Sequence, residues 1–118
     1  MKTLVIGASS NPERYANMAL KSLLKHQHEV VAVGLKKEVV EGVTIETEKI
    51  PFSGVHTVSL YLNPVRQQEY YDYIINLKPQ RVIFNPGTEN PELYRLLEAN
   101  GIGYEVACTL VLLATNQF

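Results

Sequence analysis

The sequence predicts an α/β protein: a doubly wound, parallel, five-stranded sheet in three α/β/α layers, formed as one domain over residues 1–118. Two observations carry this. Short apolar runs rich in β-branched residues alternate five times with helical patterns, which is the signature of parallel strands joined by crossover helices. The runs are apolar at consecutive positions rather than at every second one, so each strand needs cover on both faces. Right-handed crossovers then give an open sheet with helices on either side.

The first strand is Thr3 to Ile6, ending at Gly7. A helix follows, starting at Asn11 or Arg14 and running to Lys25. Ala16, Ala19, Leu20, Leu23 and Leu24 form its single apolar stripe, and Asn11 is its expected cap with Pro12 at the first helical position. The second strand is Glu29 to Val33, closed by Gly34. From Val39 to Lys49 the pattern is mixed: Gly42 marks a turn and Val43 to Ile45 a short extended piece. Thr57 to Leu62 is the third strand, and Asn63-Pro64 opens a helix that buries Tyr70, Tyr73, Ile74 and Leu77 before Pro79 stops it. Arg81 to Phe84 is the fourth strand and Asn85-Pro86-Gly87 its turn. A third helix opens at Asn90-Pro91, buries Leu93, Leu96 and Leu97, and ends at Asn100-Gly101. Tyr104 to Val106 is the fifth strand. The apolar tail from Cys108 to Ala114 fits either a short helix or an edge strand.

Composition narrows the function classes. With 46% hydrophobic and 19% charged residues the chain reads as a soluble globular protein. A formal net charge of −1 gives no basic field for nucleic acid. No apolar run approaches the roughly 20 residues of a membrane helix. The one cysteine, Cys108, allows no internal disulfide and points to a reducing cytoplasm; in the apolar ACTLVLL context it reads as a buried, inert thiol, the sharper alternative being a functional thiol that faces a thiol-bearing cofactor. No metal site is expected: His26 and His28 are two apart and do not share a helix face, and His56 stands alone. No Ser-His-Asp or Cys-His constellation emerges, so no catalytic residue is assigned. A phospho-acceptor domain would need clustered acids where this chain has Ala8-Ser9-Ser10.

What remains is a ligand site at the strand C-terminal ends, where open parallel sheets bind. The strongest feature is the turn G-A-S-S-N-P-E-R from Gly7 to Arg14. A strand, a small-residue turn and a helix opening place backbone N–H groups and the helix dipole toward an anion. The hydroxyls of Ser9 and Ser10 can donate to phosphate oxygens, and Arg14 can fold over a phosphate. The G-x-G-x-x-G dinucleotide fingerprint is absent. After the second strand, where an NAD site carries an acid, the chain has Gly34, Leu35, Lys36 and Lys37, which suits the extra phosphate of NADP or coenzyme A.

The segment Val5-Ile6-Gly7-Ala8-Ser9-x-x-Pro12-x-Arg14-Tyr15 resembles the opening of the small bacterial coenzyme A-binding domain proteins, and of the same domain in ADP-forming acyl-CoA synthetases and the succinyl-CoA synthetase α subunit. The likeness runs on through Val30 to Gly34, the Gly42-Val43 hairpin piece, Leu60 to Pro64, the turn Val82 to Gly87 and Gly101 to Cys108. The chain departs from the family pattern at Leu35 (usually Pro), Leu62 (frequently Arg), Ile83 and Asn85 (usually Trp and Gln), and Ala107 lacks a nearby Asp. The resemblance implies a Rossmann-like, stand-alone bacterial binding domain whose ligand is coenzyme A or an acyl-CoA. It implies phosphates at Gly7, Ala8, Ser9 and Arg14, with Ser10 and Tyr15 beside them. Gly34 and Lys36 would line the adenosine side, and Tyr61, Asn85 and Gly87 the crevice. The synthetases' phosphohistidine and ATP-grasp domains have no counterpart in this chain, so the expected role is non-catalytic. The alternatives are an NADP- or NAD-dependent oxidoreductase or redox sensor, and an interaction scaffold without ligand. The tail Leu110 to Leu113 is the expected contact for a second chain in a homodimer.

Overall fold

The computed structural model describes residues 1–118. Its sheet has seven strands, not five: β1 (Lys2–Ala8), β2 (Glu29–Gly34), β3 (Glu38–Val40), β4 (Val43–Glu46), β5 (Val55–Leu60), β6 (Arg81–Phe84) and β7 (Gly103–Val106). They lie in the order β3-β4-β2-β1-β5-β6-β7. All neighbours are parallel except β3 and β4. The two additional strands come from the mixed stretch after Leu35. Glu41 and Gly42 both have positive φ, 51° and 82°, which is the backbone of a tight hairpin turn. Strands of three and four residues are too short for a periodic signal, and this hid them.

The helices are α1 (Tyr15–Lys25), α2 (Pro64–Gln67), α3 (Tyr71–Leu77), α4 (Pro91–Ala99) and α5 (Thr109–Ala114). They cover both faces of the sheet. Leu4, Ile6, Val58, Leu60, Val82 and Phe84 face α3 and α4 through Tyr73, Ile74, Leu93 and Leu97. Val5, Val30 and Ala32 face α1 and α5 through Ala16, Leu20, Leu23 and Leu113. Period-two alternation along each strand feeds two separate cores. None of these helices is long and apolar enough to cross a membrane.

Three local expectations change. Helix α1 begins at Tyr15, and no side chain caps it. Asn11 instead builds the preceding turn: its Oδ1 accepts from Glu13 N–H at 3.0 Å and its carbonyl from Arg14 N–H at 3.0 Å. The continuous helix expected from Pro64 to Leu77 is interrupted by a 3₁₀ turn at Gln68–Tyr70. Gln67, Tyr70 and Tyr73 are all buried, and the 3₁₀ winding, three residues per turn, stacks such a spacing directly in line. The tail resolves as helix α5, with Leu113 in the chain's own core at 3% exposure.

Candidate functional site

Two cavities open at the C-terminal edge of the sheet. The larger, about 520 Å³, is walled by the turn after β1, the connection after β2 and the segment after β5. It brings together Gly7, Ala8, Ser9, Ser10, Arg14, Tyr15, Gly34, Lys36 and Tyr61. Of the remaining residues expected at the site, Asn85 lines only the second cavity, and Gly87 lines neither.

The glycines serve the chain before any ligand. Gly7 has φ +90°, and a Cβ there would stand 2.9 Å from the Tyr61 carbonyl oxygen. A Cβ on Gly34 would collide with the Ala8 carbonyl. Both absences let three strand ends close together under the cavity floor. Gly87, also at positive φ, has open space around it; it makes the turn after β6, its N–H donating to Glu89 Oε1 at 2.8 Å.

The turn itself is tied from beneath. Asn17, buried to 1% exposure, donates from Nδ2 to the Ser9 carbonyl at 3.0 Å. Ser9 Oγ accepts from Asn11 N–H at 3.1 Å, which occupies a lone pair and leaves its hydroxyl proton to donate elsewhere. With no side-chain cap on α1, Asn17 and Met18 N–H donate to the Arg14 carbonyl, and the Tyr15 and Ala16 N–H groups, on two residues that line the cavity, are left without a partner in the chain. That combination can seat an anion.

Charge supports the same conclusion. Arg14, Lys36 and Arg66 all line this cavity, and none forms an ion pair; the three pairs in the chain are Lys2–Glu29, Lys37–Glu46 and Arg81–Glu105. Of the two adjacent lysines after β2, Lys37 is therefore spent on Glu46 and Lys36 is available. Glu38 is the sole acid on the wall. Three unpaired cations against one carboxylate suit a ligand with several negative charges.

Arg66 was not expected at the site, although the sequence carried a signal for it. Asn63-Pro64-Val65-Arg66 repeats the N-P-x-R of Asn11-Pro12-Glu13-Arg14. The strands before these segments, β1 and β5, are neighbours, so the two arginines arrive at one cavity. Here Asn63 does cap its helix, accepting from Arg66 N–H at 2.9 Å. Leu62 is buried beside it and lines the same wall; the cation on this side comes from Arg66, one turn further along.

The second cavity, about 260 Å³, is lined by Tyr15, Tyr61, Asn85, Pro86 and Cys108. Cys108, expected to be buried, is half-buried there. Asn85 is held by the chain: Nδ2 donates to Ser59 Oγ at 3.0 Å and to the Leu60 carbonyl at 2.9 Å. Its Oδ1 accepts from Thr109 N–H at 2.8 Å, which fixes the start of α5. Burial pushes the Tyr61 phenol up to about 12, so it stays neutral at physiological pH.

A family profile described as the CoA binding domain matches residues 1–114. A crystal structure of an uncharacterized protein is 50% identical, superposes with a TM-score of 0.96, and is covered over 97% of its length by 99% of this chain. A hypothetical protein from Pyrococcus horikoshii OT3 is 31% identical with a TM-score of 0.82, over 92% of this chain and 78% of its own. At 16% identity the likeness is one of fold: 90% of this chain superposes, with a TM-score of 0.72, on 25% of a dinucleotide-forming acetyl-coenzyme A synthetase from Ca. Korarchaeum cryptofilum. No curated protein matches the chain. With a profile match over nearly its whole length, the chain belongs to the CoA-binding domain family.

Proposed function

We propose that this protein binds coenzyme A or an acyl-CoA reversibly and performs no chemistry on it, acting as a carrier or sensor in the bacterial cytoplasm. The observation that carries this reading is the set of three unpaired cations, Arg14, Lys36 and Arg66, around one cavity. Its volume of about 520 Å³ falls in the range of cofactor sites. The residues present fit the group: Ser9, Ser10 and the open end of α1 would hold the pyrophosphate, and the cations the remaining charge. Coenzyme A carries one phosphate more than NAD, and Lys36 stands where an NAD site would place an acid. No residue is assigned a catalytic role, since fold likeness alone does not license one.

The test is calorimetric titration of the purified protein with coenzyme A, 3′-dephospho-CoA, NADP and NAD. Coenzyme A is expected to bind, and more weakly by about tenfold without its 3′-phosphate, the scale of one lost charge-assisted contact. Binding of NADP or NAD alone would overturn the reading in favour of an oxidoreductase or redox sensor. No binding by any of the four would leave an interaction scaffold.

A further inference from the structure

We propose that the face formed by α1 and α5 binds a second copy of this chain, in a weak two-fold dimer whose α1 helices run antiparallel. This dimer does not depend on what the cavities hold.

A surface helix ordinarily turns apolar residues inward and charged ones outward. Helix α5 does not. From Val106 to Phe118 the chain carries no charged residue. Thr109 and Leu113 face the core, and the outward side presents Ala114 and Val111, the latter 57% exposed. Helix α1 packs beside α5. Both helices start from the C-terminal edge of the sheet, after β1 and β7, so they run in the same direction. Tyr15 and Cys108 share a cavity wall, which puts Tyr15 on the flank of α1 nearer α5. Met18 and Ser22, three and seven positions on, continue that flank. Lys21, six positions on, turns to the other one. Tyr15 is 69% exposed and Met18 39%. The outward sides of the two helices therefore make one face with no charge along its middle.

Charge complementarity names the occupant. The ends of this face carry opposite signs: Glu13 just before α1, and Lys25 as its last residue. Both are exposed, and neither belongs to the three ion pairs of the chain. Arg14, next to Glu13, lines the first cavity instead. A two-fold axis crossing α1 at the level of Met18 and Ala19 sets Glu13 of one copy against Lys25 of the other, and does so twice. A second copy thus brings an uncharged face and the matching charges at both ends.

Area sets the strength. Helix α1 has 11 residues and is about 16 Å long. Two helices side by side are about 20 Å across, so the face measures roughly 300 Å². Lasting interfaces bury about 800 Å² on each partner. The dimer is therefore reversible, with a dissociation constant on the order of 100 µM.

The experiment is sedimentation of the protein from about 10 µM to about 1 mM, a range that brackets this constant. The average mass should climb from one chain toward two. Val111→Glu places a charge in the middle of the face and should keep the protein monomeric throughout. Its unfolding midpoint should not move, because Val111 is exposed in the single chain. Glu13→Lys and Lys25→Glu each set like charges together at both ends and should weaken the dimer about tenfold. The two changes in one chain should restore it.

A protein that stays monomeric up to about 1 mM overturns the dimer. A dimer that Val111→Glu leaves intact lies on another face and overturns this one. A dimer lost in Val111→Glu, but no stronger in the double charge swap than in either single variant, overturns the antiparallel two-fold pairing.

Discussion

The two halves of the sheet's C-terminal edge use the same residue types for opposite ends. On the half formed by the segments after β1 and β2, Ser9, Ser10, Arg14 and Lys36 sit at a cavity wall with donors unclaimed by the chain. On the half formed by the segments after β5 and β6, Arg66 stays open to the cavity while serine, asparagine and glutamine are consumed internally. Gln67 donates to the Leu62 and Thr88 carbonyls at 2.7 and 2.8 Å. Its Oε1 accepts from Asn90 Nδ2 at 2.8 Å, and Ser59 meets Thr109 at 2.8 Å. Asn85 joins this second group, tying β5, β6 and α5 together. The difference teaches that a polar residue at a strand end is a ligand donor only where the chain has not already satisfied it. A rigid, self-satisfied half holds the open half in place.

The largest effect expected from this contrast is on stability. Asn85→Leu removes the bonds that Asn85 makes to Thr109 N–H and the Leu60 carbonyl and one of the two made by Ser59 Oγ, which keeps Thr109, at a cost of about 3 kcal/mol. Denaturant unfolding would register it as a lower midpoint; an unchanged midpoint would deny Asn85 its structural role. Arg66→Ala should behave in the opposite way. It removes an unpaired cation, so coenzyme A affinity falls about tenfold while the unfolding midpoint stays put. Loss of stability without loss of affinity would place Arg66 in the self-satisfied half.

A smaller effect follows from the buried phenols. Tyr61 and Tyr73 are both raised by burial from 10 to about 12. Below pH 10 both states keep these protons. Between pH 10 and 12 the unfolded chain releases them and the folded chain does not, so stability falls as pH rises through that window. Tyr61→Phe should flatten the fall measured between about pH 10 and 12, the span of the two pKa values; an identical slope would contradict the burial of Tyr61.

Much of this fold was legible because it rests on local pattern. Continuous apolar runs at Thr3–Ile6 and Arg81–Phe84, and caps such as Asn63-Pro64 and Asn90-Pro91, announce strands and helices directly. The hairpin at Glu38–Glu46 was only partly legible, since Glu41 adopts positive φ without glycine's signature. At the site, the turn from Gly7 to Arg14 was readable as a contiguous motif. Asn85 was placed in the crevice but not recognised as a tie, because its partners Ser59 and Thr109 lie 26 and 24 residues away and only the folded sheet joins them. Arg66 was missed for a different reason: its N-P-x-R signal is a repeat across two loops, and its meaning depends on β1 and β5 being neighbours.

The most direct test of the division between the two halves is a backbone and side-chain amide NMR titration with coenzyme A. The account predicts shifts concentrated in Gly7–Ala16, Gly34–Lys36 and the Arg66 side chain, with the amide protons of Gln67 and Asn90 unmoved. Shifts centred on Gln67 and Asn90, with the turn after β1 silent, would contradict it.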